Sequence, residues 1–285
     1  MPRHAFPCMG TDVELVLTAD TGAQVIPRAE MEFHRLDALL SRFRADSELS
    51  RLNHLGSCRV GPELIEILQA ALEARERTGG RFDPTIHDAL VGAGYDRTFE
   101  LVSAGVVAHS PMSALCGGEV FVDEGESLVE LEPGYRLDLG GIAKGYAADR
   151  VLALLAVAGP ALVDAGGDIA VTGGSWTIGV ETGDGSVVLE LDEGAVATSG
   201  RDRRRWSAGG QDAHHLIDPA TGRPAEGDLL RVTTVAATGM EAEVLATALF
   251  LAGDVDDAAT EADMLAVPAI LVSDDGRTVL TGGLA

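Results

Sequence analysis

The chain has 285 residues, 46% of them hydrophobic and 23% charged, the balance of a globular protein with a sizeable core rather than of a disordered chain. Its formal net charge of −24 repels phosphate backbones and anionic lipid alike, which disfavours nucleic-acid and membrane-surface binding. A nucleotide ligand remains compatible where a cation or local backbone donors neutralise its phosphates.

Cys8, Cys58 and Cys116 are scattered, with neither metal-ligand spacing nor the even count of a disulfide framework. No apolar run is long enough to span a bilayer, and the first ten residues lack the apolar stretch of an export signal, so the expectation is a cytoplasmic protein with no membrane insertion.

In chain order, Val13, Leu15 and Leu17 alternate as a half-buried strand. A helix is predicted from about Pro27, with an apolar stripe of Met31, Leu36, Leu39, Leu40 and Phe43. Asp46 is placed to cap a short helix carrying Leu49 and Leu52. Pro62 opens a clear helix that ends at Gly79-Gly80. Leu101 to Gly125 carries no pattern. Ser127 to Leu131 and Tyr135 to Leu139 read as strands about Pro133-Gly134. A helix over Ala143 to Ala156 follows, then short strands within Ala161 to Val171, Thr177 to Glu181, Val187 to Leu191 and Ala195 to Thr198. Arg231 to Ala236 is a further strand, Glu241 to Leu251 a helix, and Ala269 to Leu280 a closing hairpin. This order predicts an α+β fold with largely antiparallel sheet, in one domain over 1–285.

Three segments carry chemistry. Asp138-Leu139-Gly140-Gly141-Ile142-Ala143-Lys144-Gly145 runs through paired glycines into a helix, where backbone N–H groups, the helix dipole and Lys144 suit a phosphate. It is not a Walker A loop, and a structural glycine turn with a surface lysine reads equally from the residues alone. His214-His215-Leu216-Ile217-Asp218-Pro219 brings an imidazole into a turn, as a general base or as a strand-end histidine bonded to a carbonyl. Glu243 and Thr247 share a helix face, a hard oxygen pair that suits magnesium or, more plainly, a carboxylate near a helix N-terminus. Met9 and Phe43 suit the face of a flat ring and equally suit core packing.

Taken in order, the blocks Met9-Gly10-Thr11, Ser47 to Asn53, Gly80 to Thr85, Asp138 to Tyr146, Asp164 to Asp168, Thr198-Ser199-Gly200, His215 to Gly222 and Ala242 to Thr247 resemble the ApbE family, the FAD:protein FMN transferases. The resemblance implies a T-fold-like architecture of two closely packed lobes with FAD in a cleft, and FAD and magnesium as substrate and cofactor. It implies Met9 and Phe43 beside the ring systems, Arg81, Phe82 and Asp83 as a ligand-contact segment, and Asp138, Gly140, Lys144 and Ile217 as further FAD contacts. The carbonyl of Ala143, with Glu243 and Thr247, matches the metal positions, and His215 the catalytic base. The implied reaction moves FMN from FAD onto a Thr or Ser hydroxyl of an acceptor flavoprotein and releases AMP. An FAD pyrophosphatase and a non-catalytic FAD-binding protein are the alternatives.

The chain departs from the family pattern at three places. Glu243 stands where the family has aspartate, Asp164 where it usually has asparagine, and Arg201, Arg203, Arg204 and Arg205 where an aromatic usually follows Thr198-Ser199-Gly200.

Overall fold

The structure, a computed structural model, describes residues 2–18, 24–102, 114–208 and 211–284. Residues 103–113 of the unpatterned stretch Leu101 to Gly125 lie outside them. The fold is mixed α+β with a large antiparallel sheet, as expected. Contacts divide the chain into two compact units, residues 1–37 with 142–200 and 227–285, and residues 38–141 with 201–226. No helix among the described residues is long and apolar enough to cross a membrane.

The first unit is built on eight strands in the order Arg3–Cys8, Thr11–Leu17, Ala161–Ala165, Ile169–Thr172, Gly194–Gly200, Leu229–Ala236, Ala269–Ser273 and Thr278–Leu280. Every neighbouring pair is antiparallel. Strand alternation sends successive side chains to opposite faces. Val16, Val171, Val196, Ile270 and Val272 pack against Trp176, Ile178, Val180 and Leu189 of the hairpin Trp176–Glu181 and Ser186–Leu191. The helices Ala143–Ala156 and Gly239–Phe250 also lie on the sheet. Thr234, paired with Ala197, donates its hydroxyl to the Ala242 carbonyl at 2.7 Å and fixes the second of these helices on its strand.

These two helices approach closely because glycine faces glycine. A Cβ on Gly145 would lie 2.3 Å from the Gly239 carbonyl oxygen, inside any tolerable contact. Asp149 completes the junction, accepting from the Gly239 and Met240 N–H groups at 2.7 and 2.9 Å. The N-terminus of one helix is therefore capped from the flank of the other.

The second unit holds the helices Glu48–Leu55, Pro62–Arg77 and His87–Gly92, with a three-stranded sheet ordered Ser57–Arg59, Leu128–Leu131, Val120–Asp123. Small hairpins follow at Arg205–Ala208 with Gln211–His214, and at Ile217–Asp218 with Arg223–Pro224.

The structure corrects several local expectations. The helix predicted from Pro27 spans Ile26–Leu40 and buries Ala29, Phe33, Leu36 and Leu40, while Met31 is exposed and Phe43 falls beyond the helix end. Ser47, not Asp46, caps Glu48–Leu55, accepting from the Ser50 N–H at 2.9 Å. Tyr135 to Leu139 makes no strand. Asn53 takes the place of a ladder there, donating to the Leu137 carbonyl at 2.8 Å and accepting its N–H at 2.7 Å.

Candidate functional site

In the first unit a buried charge cluster forms where the helix Ala143–Ala156 begins. Lys144, in the first turn, places its ammonium between Asp168 Oδ2 and Glu243 Oε1, hydrogen-bonded to both. Each carboxylate turns its second oxygen to the backbone. Glu243 Oε2 accepts the Gly145 N–H at 2.9 Å and Asp168 Oδ1 accepts the Thr198 N–H at 3.3 Å. Glu243 and Asp168 are both 3% exposed. Burial drives the Glu243 carboxyl above the usual carboxylate range; the Lys144 ammonium opposes that shift and the Asp168 charge adds to it. One helical turn along, Thr247 shares a hydrogen bond of 3.0 Å with Ser199. The structure thus brings Ala143, Lys144, Glu243 and Thr247 into one region of the unit.

This donor set suits a hard divalent ion. Among the described residues no three His, Cys, Asp or Glu side chains are arranged to hold a metal. Magnesium asks for less: one or two carboxylates, with carbonyl, hydroxyl, water and substrate phosphate completing the shell. Glu243, Asp168, the Thr247 hydroxyl and the Ala143 carbonyl are oxygens of that kind, and the two carboxylates already enclose a cation. Asp168 was not singled out as a ligand in the sequence, although its Asp164 to Asp168 block was; its signal is a partner 24 residues away, which no local pattern reports.

In the second unit a buried ion pair joins Arg42 to Asp138, with side chains 6% and 8% exposed. Asp138 Oδ1 accepts the Gly140 N–H at 2.8 Å, while the Asp138 N–H donates to the Pro84 carbonyl at 2.8 Å. The Arg42 guanidinium lies 4.1 Å from the Phe43 ring centroid and 4.7 Å from that of Tyr95, a cation–π arrangement. Phe43, 37% exposed, begins an aromatic run through Tyr95 to Trp206, with centroids 5.5 and 5.4 Å apart. Ile217 is buried in the same cluster, with Ala89, Leu90 and Ala213.

The paired histidines differ in their surroundings. His214 is buried, its Nε2 at 3.0 Å from the Ala225 carbonyl and its Nδ1 accepting the Leu216 N–H at 3.3 Å. Burial holds its pKa below the ordinary imidazole value; the Ala225 carbonyl raises it, and Arg201 and Arg205 lower it further. His214 is therefore committed to the turn. His215, at the bend that follows the strand, is half-buried.

The remaining expected residues are placed as follows. Met9 occupies the left-handed region, φ 51°, beside Gly10 at φ 66°. The two form the connection between the paired residues Cys8 and Thr11, and positive φ at both centres is the requirement of a tight hairpin turn. Asp83 is buried, and its Oδ1 accepts both the N–H and the hydroxyl of Thr85 at 2.8 Å. Phe82 is buried with its N–H donated to Thr78 Oγ1 at 3.1 Å, and Arg81 is half-buried.

A model of the ApbE family matches residues 9–271. A relative in Treponema pallidum, named FAD:protein FMN transferase, is 31% identical over 87% of this chain and 76% of its own length. One in Vibrio cholerae with the same name is 30% identical over 95% of this chain and 87% of its own length. Among solved structures, the ApbE protein of Thermotoga maritima superposes with a TM-score of 0.87 at 26% identity, covering 98% of this chain and 96% of that one.

Proposed function

We propose that this chain, which belongs to the ApbE family, is a magnesium-dependent FAD:protein FMN transferase acting as a single flavin transferase domain. The observation that carries this reading is the buried pair Glu243 and Asp168, each with one oxygen fixed by a backbone N–H and the other on a cation. Two carboxylates held so in a molecule of net charge −24 suit a site where an ion must offset the repulsion between the protein and a diphosphate.

Magnesium bound at Glu243, Thr247 and the Ala143 carbonyl would supply Lewis-acid stabilisation of charge on the phosphoryl oxygens. His215 takes the proton from an acceptor Thr or Ser hydroxyl as its oxygen attacks the FMN-side phosphorus of FAD. The bond from that phosphorus to the bridging oxygen breaks, AMP leaves with the oxygen, and FMN stays on the acceptor as a phosphoester. Asp138, paired with Arg42, with Gly140, Met9, Phe43, Ile217 and the Arg81 to Asp83 segment, contributes to binding the dinucleotide. His214 has both ring nitrogens engaged within the turn, which argues against it as the base.

Incubation with FAD and MgCl2, with and without a flavoprotein acceptor, tests the reading. AMP release matched by an FMN mass gain on the acceptor supports transfer. Free FMN in equal yield with or without acceptor would identify a pyrophosphatase, and FAD occupancy with no AMP at any magnesium concentration a binding protein.

A further inference from the structure

Lys144 is the single lysine in this sequence; the other 20 of its 21 Lys and Arg residues are arginine. That one ammonium lies largely buried between the two most enclosed carboxylates of the first unit, its side chain 17% exposed against 4% for each acid. The choice of lysine has a physical reading. An ammonium is a compact point charge that several oxygens can surround, as they surround a metal ion, whereas a guanidinium is a planar fork that pairs edge-on. It sits on a flexible four-carbon stem, so it can leave without moving the backbone.

The carboxylates, by contrast, each have a backbone anchor besides Lys144. Gly145 N–H holds one oxygen of Glu243 at 2.9 Å and Thr198 N–H holds one of Asp168 at 3.3 Å. The close Gly145 and Gly239 contact and the Asp149 cap fix the helix that carries Glu243. The oxygens that face Lys144 are thus a cation subsite built by the backbone, with the lysine as its occupant.

We infer that Glu243 and Asp168 together form the cation subsite, that the Lys144 ammonium fills it in the metal-free chain, and that the divalent ion loads by displacing that ammonium. This rests on the magnesium-dependent reading above and adds two things to it: a second carboxylate, Asp168, and a built-in competitor for the ion. The exchange balances in charge. One positive charge leaves two carboxylates and two positive charges replace it, while the released ammonium becomes available to an anionic ligand. Until the ion arrives, Lys144 prevents two buried carboxylates from facing each other unpaired, which would force one of them to take up a proton.

A single lysine makes the test direct. The full chain grown with lysine labelled in 13C and 15N gives one lysine side-chain signal. Titrated with MgCl2 alone, that signal should shift saturably, in step with the heat of magnesium binding. Lys144→Met should bind magnesium about tenfold more tightly or better in the absence of FAD, since a like charge a few ångströms from the ion is gone. Adding Asp168→Asn should cancel that gain. Saturable magnesium heat with an unmoved lysine signal would overturn the inference, as would a Lys144→Met protein that binds the ion no more tightly. In either case, magnesium-dependent FAD binding by the unaltered chain would leave the transferase reading standing. Absence of magnesium binding to the unaltered chain and Lys144→Met alike, with or without FAD, would remove the metal itself and the inference with it. The signal in the unaltered chain decides the matter even where Lys144→Met fails to fold.

Discussion

The Glu243 carboxylate accepts the backbone N–H of Gly145 at 2.9 Å, so a buried acid of one helix caps the first turn of another. In the family pattern this position is an aspartate. The extra methylene of glutamate is used here to reach both that N–H and Lys144, and the shorter side chain would have to give up one or the other. Glu243→Asp should therefore still bind magnesium but lower thermal stability in the metal-free state, by about 0.5–2 kcal/mol for a lost cap bond. Calorimetry with and without the ion reads both effects. An unchanged melting temperature without metal would show that the Gly145 contact contributes nothing.

Gly145→Ala should be far costlier than an alanine in a helix ordinarily is. The added Cβ would meet the Gly239 carbonyl at 2.3 Å, and the two helices would have to separate. Overpacking of this kind costs about 1–3 kcal/mol, against the usual gain in helix propensity from glycine to alanine. Urea denaturation should show a lower midpoint; a raised midpoint would contradict the close approach.

The two histidines should separate function from fold. His215→Ala is expected to keep FAD binding and lose transfer by about 10²–10⁴-fold, the scale of a general base. His214→Ala leaves the Ala225 carbonyl and Leu216 N–H without their partner and should cost about 1–3 kcal/mol of stability. Full transfer by His215→Ala would take that residue out of the mechanism.

His214 also sets a pH dependence. Its folded pKa lies below the ordinary 6.5 because the ring is buried, so the folded state favours the neutral imidazole. As pH falls below 6.5 the unfolded chain takes up that proton first, and stability is lost progressively toward the lower folded value. The contribution is complete above 6.5. Urea titrations at several pH values should show His214→Gln with a shallower acid slope than the unaltered chain; equal slopes would contradict the assignment.

Breaking the Arg42 and Asp138 pair by Arg42→Met should cost about 3–5 kcal/mol, because it strands a buried carboxylate. Adding Asp138→Leu should return part of that loss, with the Gly140 hydrogen bond accounting for the remainder. A double variant less stable than the single one would contradict the pairing.

Much of the fold was legible because it obeys simple periods. The helix Ala143–Ala156 and the strands of the sheet core alternate cleanly, and the glycine breaks between them are where the chain turns. The strand Arg3–Cys8 was missed because Pro7 sits in it; as an edge strand it tolerates a residue with no N–H to donate. The helix Val255–Met264 was missed because its buried face is Val255, Ala258 and Ala262, too weakly apolar to stand out. Tyr135 to Leu139 reads as a strand in the sequence because it follows the Pro133-Gly134 turn, yet its partner is the Asn53 side chain. The block order carried Lys144, Glu243 and Thr247 in the first unit and His215 in the second. Arg42 and Asp168 needed the structure, since their meaning lies in partners remote in sequence: Arg42 pairs with Asp138, and Asp168 with Lys144, 24 positions back.

The most direct measurement is titration of the purified chain with FAD, followed by flavin fluorescence and calorimetry, in MgCl2 and again in EDTA. The account predicts saturable one-site binding with the ion present and a marked loss of affinity without it, deepened by Glu243→Ala. Failure to bind FAD in saturating MgCl2, or binding indifferent to EDTA and to Glu243→Ala, would contradict it.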